Sequence, residues 1–272
     1  MSQTHPEGDA ATGVASLPMY DWPEIRAATD TLWTAIRQQL RSIGIAAPYL
    51  LDRGDDPEPL WRHPDLILSQ TCGFPYANGL AGKVTLIGAP AHAVTGAAPG
   101  RYFSVLVARK AHAAPTLADL VDRRFAYNMT HSQSGFAAPV RLLAAGGHAS
   151  RPQPLQTGAH RASIHAVAKG EADWAAIDAV TWELAKRHDA AADELQIFGK
   201  TPETPALPLI ASIRYADQAE AIASAIKAAI SSLPASIRDA TLVTGLARVK
   251  QSDYAPLAKP IPVSEALPAL SI

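Results

Sequence analysis

Two segments of the chain carry apolar side chains every three or four positions. The first, residues 23–43, follows Asp21, a favourable N-cap, and has Pro23 in its first turn; Gly44 ends the pattern. The second, residues 217–234, has the same spacing and stops at a proline. Both are predicted to be amphipathic helices with one face on a core.

Between these helices, short apolar runs have the length and the β-branched composition of buried strands. Residues 116–124, capped by Thr116, and about 135–145 and 163–169 are predicted to be helical, whereas the proline-rich residues from about 250 onward are predicted to lie extended on the surface. The alternation predicts an α/β fold with largely parallel sheets, whose ligands bind beyond the carboxyl ends of strands. Strands are predicted at 14–20, 47–51, 65–70, 83–89, 101–110, 125–129, 174–177, 194–200 and 207–213.

Composition excludes several classes of protein. Of the 272 residues, 48% are apolar and 18% charged, so the chain can bury a sizeable core. A net charge of −1 gives no basic field for nucleic acid or an anionic membrane surface. No apolar run reaches the length of a membrane span, which predicts that the protein does not insert directly into a membrane. The chain as written has no signal-peptide pattern at its start and is expected to be cytoplasmic, or periplasmic if a leader has been removed.

Four polar turns follow predicted strands, at 19–22, 69–73, 131–135 and at Asp178. In the second and third, hydroxyl groups lie next to a glycine where a helix is predicted to begin. Such a turn can present N–H and O–H donors to an anion at the positive end of the helix dipole. Helix capping alone also explains serine, threonine or aspartate at these places.

Catalytic and metal-binding patterns are weak. The chain has no P-loop, no dinucleotide-binding glycine pattern and no nucleophile elbow. No two histidines have the i,i+4 spacing of a helical metal site, so neither a metal nor another cofactor is predicted. The single cysteine, Cys72, precedes a predicted helix. It is either an activated nucleophile or a small buried side chain.

Residues 116–147, TLADLVDRRFAYNMTHSQSGFAAPVRLLAAGG, resemble the middle of the phosphate, phosphite and phosphonate solute-binding proteins of ABC transporters. In that family a Leu-x-Asp-Leu helix leads into a strand, a Ser-x-Ser-Gly turn and a second helix. Residues 158–182 are similar to the family's histidine-bearing helix and its Gly-x-Ala-Asp strand. The resemblance extends over about residues 14–250.

The resemblance implies a two-lobe type II periplasmic-binding-protein fold with a ligand cleft between the lobes. Lobe 1 would comprise residues 13–105 and 206–272, and lobe 2 residues 106–205. The partners would be a small anionic ligand, on which the lobes close, and an ABC permease. The ligand-binding residues implied by the resemblance are Tyr20, Gln70, Thr71, Tyr102, Ser132, Gln133, Ser134, His160 and Asp178.

Two features depart from the family. Gln133 stands where the family usually has threonine, and the chain lacks a signal peptide as written. The leading hypothesis is a non-catalytic binding protein for a phosphate-, phosphonate- or carboxylate-bearing solute. The alternative is a cytoplasmic enzyme or ligand sensor on the same fold that uses Cys72, His160 or Asp178.

Overall fold

The computed structural model describes residues 13–54, 56–112, 115–150 and 153–270. Its strands form two five-stranded sheets and one short ribbon. The strands are β1 (Val14–Ser16), β2 (Leu66–Gln70), β3 (Val84–His92), β4 (Arg101–Tyr102), β5 (Ser104–Arg109), β6 (Phe125–Tyr127), β7 (Leu155–Gln156), β8 (Trp174–Asp178), β9 (Leu195–Lys200), β10 (Thr204–Pro205), β11 (Leu209–Ser212) and β12 (Val243–Ala247).

The helices are placed mainly between these strands, as the sequence pattern predicts. Two π-helical turns, Tyr76–Leu80 and Gln133–Ala137, continue or precede α-helices, and short 3-10 turns lie at Pro23–Ile25, Ala190–Glu194, Ile213–Gln218, Ala255–Ala258 and Pro268–Leu270. The α-helices are α1 (Arg26–Ser42), α2 (Glu58–Trp61), α3 (Gly73–Pro75), α4 (Leu117–Leu120), α5 (Ala138–Ala145), α6 (His160–Ala168), α7 (Ala179–His188), α8 (Ala219–Ser232), α9 (Ala235–Thr241), α10 (Gln251–Tyr254) and α11 (Val263–Ala266).

The two large sheets define two lobes. In lobe 1 the strand order is β1-β2-β11-β3-β12, and in lobe 2 it is β7-β6-β8-β5-β9. Each sheet is mixed, because β11 in lobe 1 and β5 in lobe 2 run antiparallel to both of their neighbours. The expectation of largely parallel sheets is therefore only partly met: β1 pairs in parallel with β2, and β6 pairs in parallel with β7 and β8.

The apolar stripes predicted on the two long helices form the core of lobe 1. Trp33 and Leu40 of α1 pack with Ile226 and Ile230 of α8 against the sheet, and all four side chains are buried. Lobe 2 has one apolar cluster on each face of its sheet. Both lobes thus have helix-covered sheets, the layering that the alternation of strands and helices predicts.

The chain passes between the lobes at three places. The β4–β10 ribbon pairs Tyr102 with Thr204 and carries two of these passages. The third is the C-terminal segment, which leaves lobe 1 after α10 and packs α11 against α5 of lobe 2. The boundaries 13–105 with 206–272 and 106–205 stay a prediction, and this packing favours assigning residues 263–270 to lobe 2.

Two sequence predictions about local structure are wrong. Residues 47–51 form no strand, and Tyr49 and Leu50 are exposed there, although Ala47 and Leu51 are buried. The proline-rich segment after 250 is not an extended surface strand: short helical turns lie between its prolines. Tyr254 and Leu267 are buried in it.

Candidate ligand-binding site

A cleft with a volume of about 530 Å³ lies between the two lobes. The ends of β1 and β2 contribute one wall, and the ends of β6 and β8 contribute the other, so the site lies where the α/β topology predicts. Its lining comprises Met19, Tyr20, Asp56, Pro57, Glu58, Trp61, Cys72, Pro75, Asn128, Met129, His131, Ser132, Ser134, His160, Asp178, Thr181 and Leu207.

The turn after β6 forms the lobe 2 wall. Ser132 has extended backbone dihedrals and its Oγ accepts the Gly135 N–H at 3.1 Å, so it is a true N-cap. The π-helical turn Gln133–Ala137 then runs directly into α5. A Cβ at Gly135 would collide with the Asn128 side chain, so a larger residue there would displace Asn128. Capping and cleft lining are thus combined in one segment.

Ser134 is held by two contacts beside the cleft. Its Oγ lies 2.8 Å from Nε2 of His160, the first residue of α6, and its carbonyl accepts the Ser104 hydroxyl at 2.8 Å. Burial lowers the pKa of His160 to about 4. The imidazole is therefore neutral near pH 7, and this part of the wall offers polar groups without a full positive charge.

Asp178 ends β8 and caps α7. Its Oδ1 accepts the N–H groups of Val180 and Thr181 at 2.8 and 3.0 Å, and its Oδ2 accepts the Tyr20 hydroxyl at 3.0 Å across the cleft. Burial raises the pKa of Asp178 to about 6, although these hydrogen bonds oppose the shift. Asp178 therefore changes charge close to neutral pH.

Cys72 reaches across the cleft from the lobe 1 side. Its Sγ accepts the backbone N–H of Gln133 at 3.3 Å. Burial raises the pKa of the Cys72 thiol, although the Gln133 N–H opposes that shift. A raised pKa leaves little thiolate at neutral pH, which favours the interpretation of Cys72 as a packed side chain over a nucleophile.

We expect Cys72 of the native protein to react slowly with a disulfide reagent at neutral pH. The rate should be at least about tenfold below that of the same chain unfolded in denaturant, because the thiolate is scarce and only partly accessible. Absorbance of the released thiolate measures both rates on one sample. Equal rates would contradict the assignment of Cys72 as an unactivated thiol.

Four of the nine predicted ligand-binding residues lie outside the cleft lining. The Gln133 side chain is buried and accepts a hydrogen bond from Arg141 Nη1 at 3.4 Å, so its backbone, not its amide, is near the cleft. Thr71 is fully buried and its N–H donates to the Pro208 carbonyl. Tyr102 is buried, and its hydroxyl lies close to the Ser134 side chain. The fourth is Gln70.

Gln70 borders a second, smaller cavity inside lobe 1, with a volume of about 50 Å³. This inner cavity is mostly apolar, and Tyr20 is the side chain that lines both it and the cleft. The Tyr20 ring packs edge-on against His92 with centroids 5.1 Å apart. Burial lowers the pKa of His92 to about 4, so its ring is also neutral.

The structure places five predicted residues in the cleft together: Tyr20, Ser132, Ser134, His160 and Asp178. Sequence reasoning missed Asn128 and Thr181. Asn128 is buried with an unpartnered Oδ1, which leaves its amino group as the part that can face the cleft. A polar residue at the end of strand 125–129 was the available signal for Asn128, and the N-terminal turn after Asp178 was the signal for Thr181.

Charge in the cleft is unusual for an anion site. The lining contains three carboxylates, Asp56, Glu58 and Asp178, and no lysine or arginine among the described residues. Glu58 Oε1 lies 3.5 Å from His131 Nε2 across the mouth. An anion bound here is held by hydroxyl, amide and backbone dipoles, which can bind oxyanions without a cationic side chain.

The two mixed sheets, the paired crossovers and the polar interlobe cleft define a two-lobe solute-binding protein of the type II periplasmic class. Residues 66–254 match the family model described as the phosphonate periplasmic substrate-binding protein of ABC transporters. The chain belongs to this family. The family consists of substrate-binding proteins, in agreement with the prediction of a binding protein and not an enzyme.

Solved structures of this fold are similar along nearly the whole chain. PhnD1 from Prochlorococcus marinus, in complex with methylphosphonate, is 17% identical with a TM-score of 0.67, covering 91% of this chain and 96% of its own. The binding component of a phosphonate ABC transporter from Pseudomonas aeruginosa is 15% identical with a TM-score of 0.66, covering 90% and 83%. The aliphatic sulphonate binding protein SsuA from Escherichia coli is 14% identical with a TM-score of 0.58, covering 90% and 88%.

No curated protein sequence matches the chain. None of the helices in the described ranges combines the length and the hydropathy that a membrane span requires.

Proposed function

We propose that the cleft binds a phosphonate or a closely related oxyanion and that the loaded protein delivers it to an ABC permease from the periplasmic side of the membrane. The observation that carries this proposal is the wall formed by Ser132, Ser134 and His160 where the helix of residues 133–145 begins. The Ser132 and Ser134 hydroxyl groups and the His160 ring lie there beside the positive end of a helix dipole. Asn128 adds a neutral amide on the same side.

Neutral donors fit a tetrahedral oxyanion for a physical reason. Each ligand oxygen can accept two or more hydrogen bonds, and hydrogen bonds to a charged group contribute about 1.5–3 kcal/mol each. Because this net value already includes the loss of hydrogen bonds to water, three or four such bonds can hold the anion without a buried cation. The three carboxylates of the lining disfavour ligands with several negative charges, which supports a small head group of low charge.

Two hydrogen bonds between the lobes support closure of the cleft on a ligand. Tyr20 of lobe 1 bonds Asp178 of lobe 2, and Cys72 of lobe 1 accepts an N–H of lobe 2. Each contact joins the lobe 1 wall to the lobe 2 wall, so a ligand between the walls is enclosed as the lobes approach.

We expect methylphosphonate to stabilise the protein against thermal unfolding, because a ligand that binds only the folded state adds about 2.7 kcal/mol at a concentration 100 times its Kd. Titration calorimetry with methylphosphonate, phosphate, phosphite, methanesulfonate and acetate measures the affinities directly. The exposed Ser252→Ala variant serves as a control that keeps the cleft intact. A flat titration with every one of these anions would overturn the proposed function.

A further inference from the structure

The inner cavity of lobe 1 has features that the proposed oxyanion site does not use. Its walls are formed mostly by aliphatic side chains of α1, α8 and the first sheet, such as Leu32, Ile226 and Val243. At about 50 Å³ it has room for about three or four non-hydrogen atoms, since a cavity needs at least about 10–15 Å³ of this volume to hold one water. It is thus larger than an ordinary packing defect.

The inner cavity and the cleft adjoin at Tyr20. Tyr20 is the residue common to the two linings, and its hydroxyl is tied to Asp178 on the far side of the cleft. The Tyr20 ring packs against apolar side chains and against the His92 ring. Movement of Tyr20 therefore requires the loss of one hydrogen bond and would join the two spaces.

Four polar side chains besides Tyr20 also border the inner cavity: Thr29, Gln70, His92 and Thr241. Gln70 makes one long hydrogen bond, from Nε2 to the Leu207 carbonyl at 3.4 Å, and His92 has a neutral ring. Neither side chain carries a charge, so neither disfavours an alkyl group in the cavity. An apolar lining with few polar groups is the usual composition of a site for an organic substituent.

We propose that the inner cavity receives the organic substituent of the ligand and that Tyr20 is the gate between this cavity and the cleft. The substituent is a short alkyl chain of about three or four non-hydrogen atoms, and the oxyanion stays at Ser132, Ser134 and His160. This inference rests on the proposed function. The ligand would then lie with its head group on lobe 2 and its organic substituent in lobe 1.

The test is a series of alkylphosphonates with increasing chain length, measured by calorimetry on the full chain. Each methylene buried in the inner cavity should raise affinity about fourfold, and the rise should stop beyond about four non-hydrogen atoms. Thr241→Leu places extra methyl groups in the inner cavity, and should remove the gain from ethyl to butyl while leaving methylphosphonate affinity within about twofold. The matched control is Thr31→Leu at an exposed position of α1, which should keep the full chain-length gain.

Leu17→Phe fills the inner cavity from the β1 side. It serves as the second filling variant if the Thr241→Leu protein does not fold. Tyr20→Phe, which lacks the hydroxyl that bonds Asp178, should increase the preference for propylphosphonate over methylphosphonate. Equal affinity of the wild-type protein for every chain length, or a gain that survives both filling variants, would overturn this inference alone. Failure to bind any member of the series would overturn the proposed function together with it.

Discussion

Replacement of Ser134 by alanine is expected to reduce the affinity for methylphosphonate by about 10- to 100-fold. Ser134 is buried and lines the cleft, and its hydroxyl lies 2.8 Å from His160 Nε2. Its removal eliminates one hydrogen bond to a charged oxygen, which contributes about 1.5–3 kcal/mol, and leaves His160 without that partner.

The Ser134→Ala protein should nevertheless fold normally. The Ser134 carbonyl, not its side chain, accepts the Ser104 hydroxyl, and the helix is capped by Ser132. Because His160 loses one hydrogen bond, thermal unfolding without ligand should shift by a few degrees, as expected for about 1–2 kcal/mol. Calorimetry gives the affinity, and Ser252→Ala is the matched control. Unchanged affinity in a folded Ser134→Ala protein would exclude this hydroxyl from the head-group site.

Replacement of Asp178 by asparagine is expected to stabilise the ligand-free protein above about pH 6. The folded-state pKa of Asp178, about 6, lies above its ordinary value of 3.8 because the carboxyl is buried. Between these two pH values the folded chain holds a proton that the unfolded chain has lost, so the free energy of unfolding falls as pH rises through this window. Above about pH 6, the buried ionised carboxylate lowers the free energy of unfolding by about 2–3 kcal/mol.

Asparagine removes that cost and keeps the local contacts. Its Oδ1 can accept the Val180 and Thr181 N–H groups, and its amide can donate to the Tyr20 hydroxyl. Urea unfolding at about pH 8 should show a gain of about 2 kcal/mol, and at about pH 4 almost none. The exposed Asp217→Asn variant controls for the change in net charge. An equal effect at both pH values would contradict the titration of Asp178 in this range.

The same substitution should strengthen binding of an anion. At about pH 8 the affinity for methylphosphonate should rise about tenfold, because a negative charge in the lining is removed. At about pH 5 the wild-type carboxyl is largely protonated, and the two proteins should bind alike. Comparison of both proteins at each pH cancels the titration of the ligand itself.

Sequence periodicity predicted the elements whose burial follows a simple pattern. The stripe on residues 23–43 and the run 101–110 became α1 and β5 because one face or both faces of each meet a core. Residues 47–51 have the same apolar character. Pro48 lacks an N–H for a ladder, and the backbone bond to β1 is made just after this segment, from Asp52 N to the Ala15 carbonyl.

The sequence predicted the segments that form the site but not the directions of their side chains. Hydroxyl residues before a helix identified the segment 131–135, and the resemblance supplied His160 and Tyr20. The direction of the Gln133 side chain depends on Arg141, two helical turns away, and on a π-helical turn that has no periodic signature in the sequence. Asn128 was missed because one polar residue at a strand end does not reveal which way it points.

The C-terminal segment adds a mechanical constraint to the two lobes. Arg141 of lobe 2 donates to the carbonyls of Leu257 and Lys259, and the Ser150 N–H donates to the Ala266 carbonyl. Two adjacent crossovers alone would allow the two lobes to bend and to twist relative to each other. A third segment of chain joins the lobes through contacts with α5, and we expect it to restrict the twist and leave bending as the main motion of the lobes.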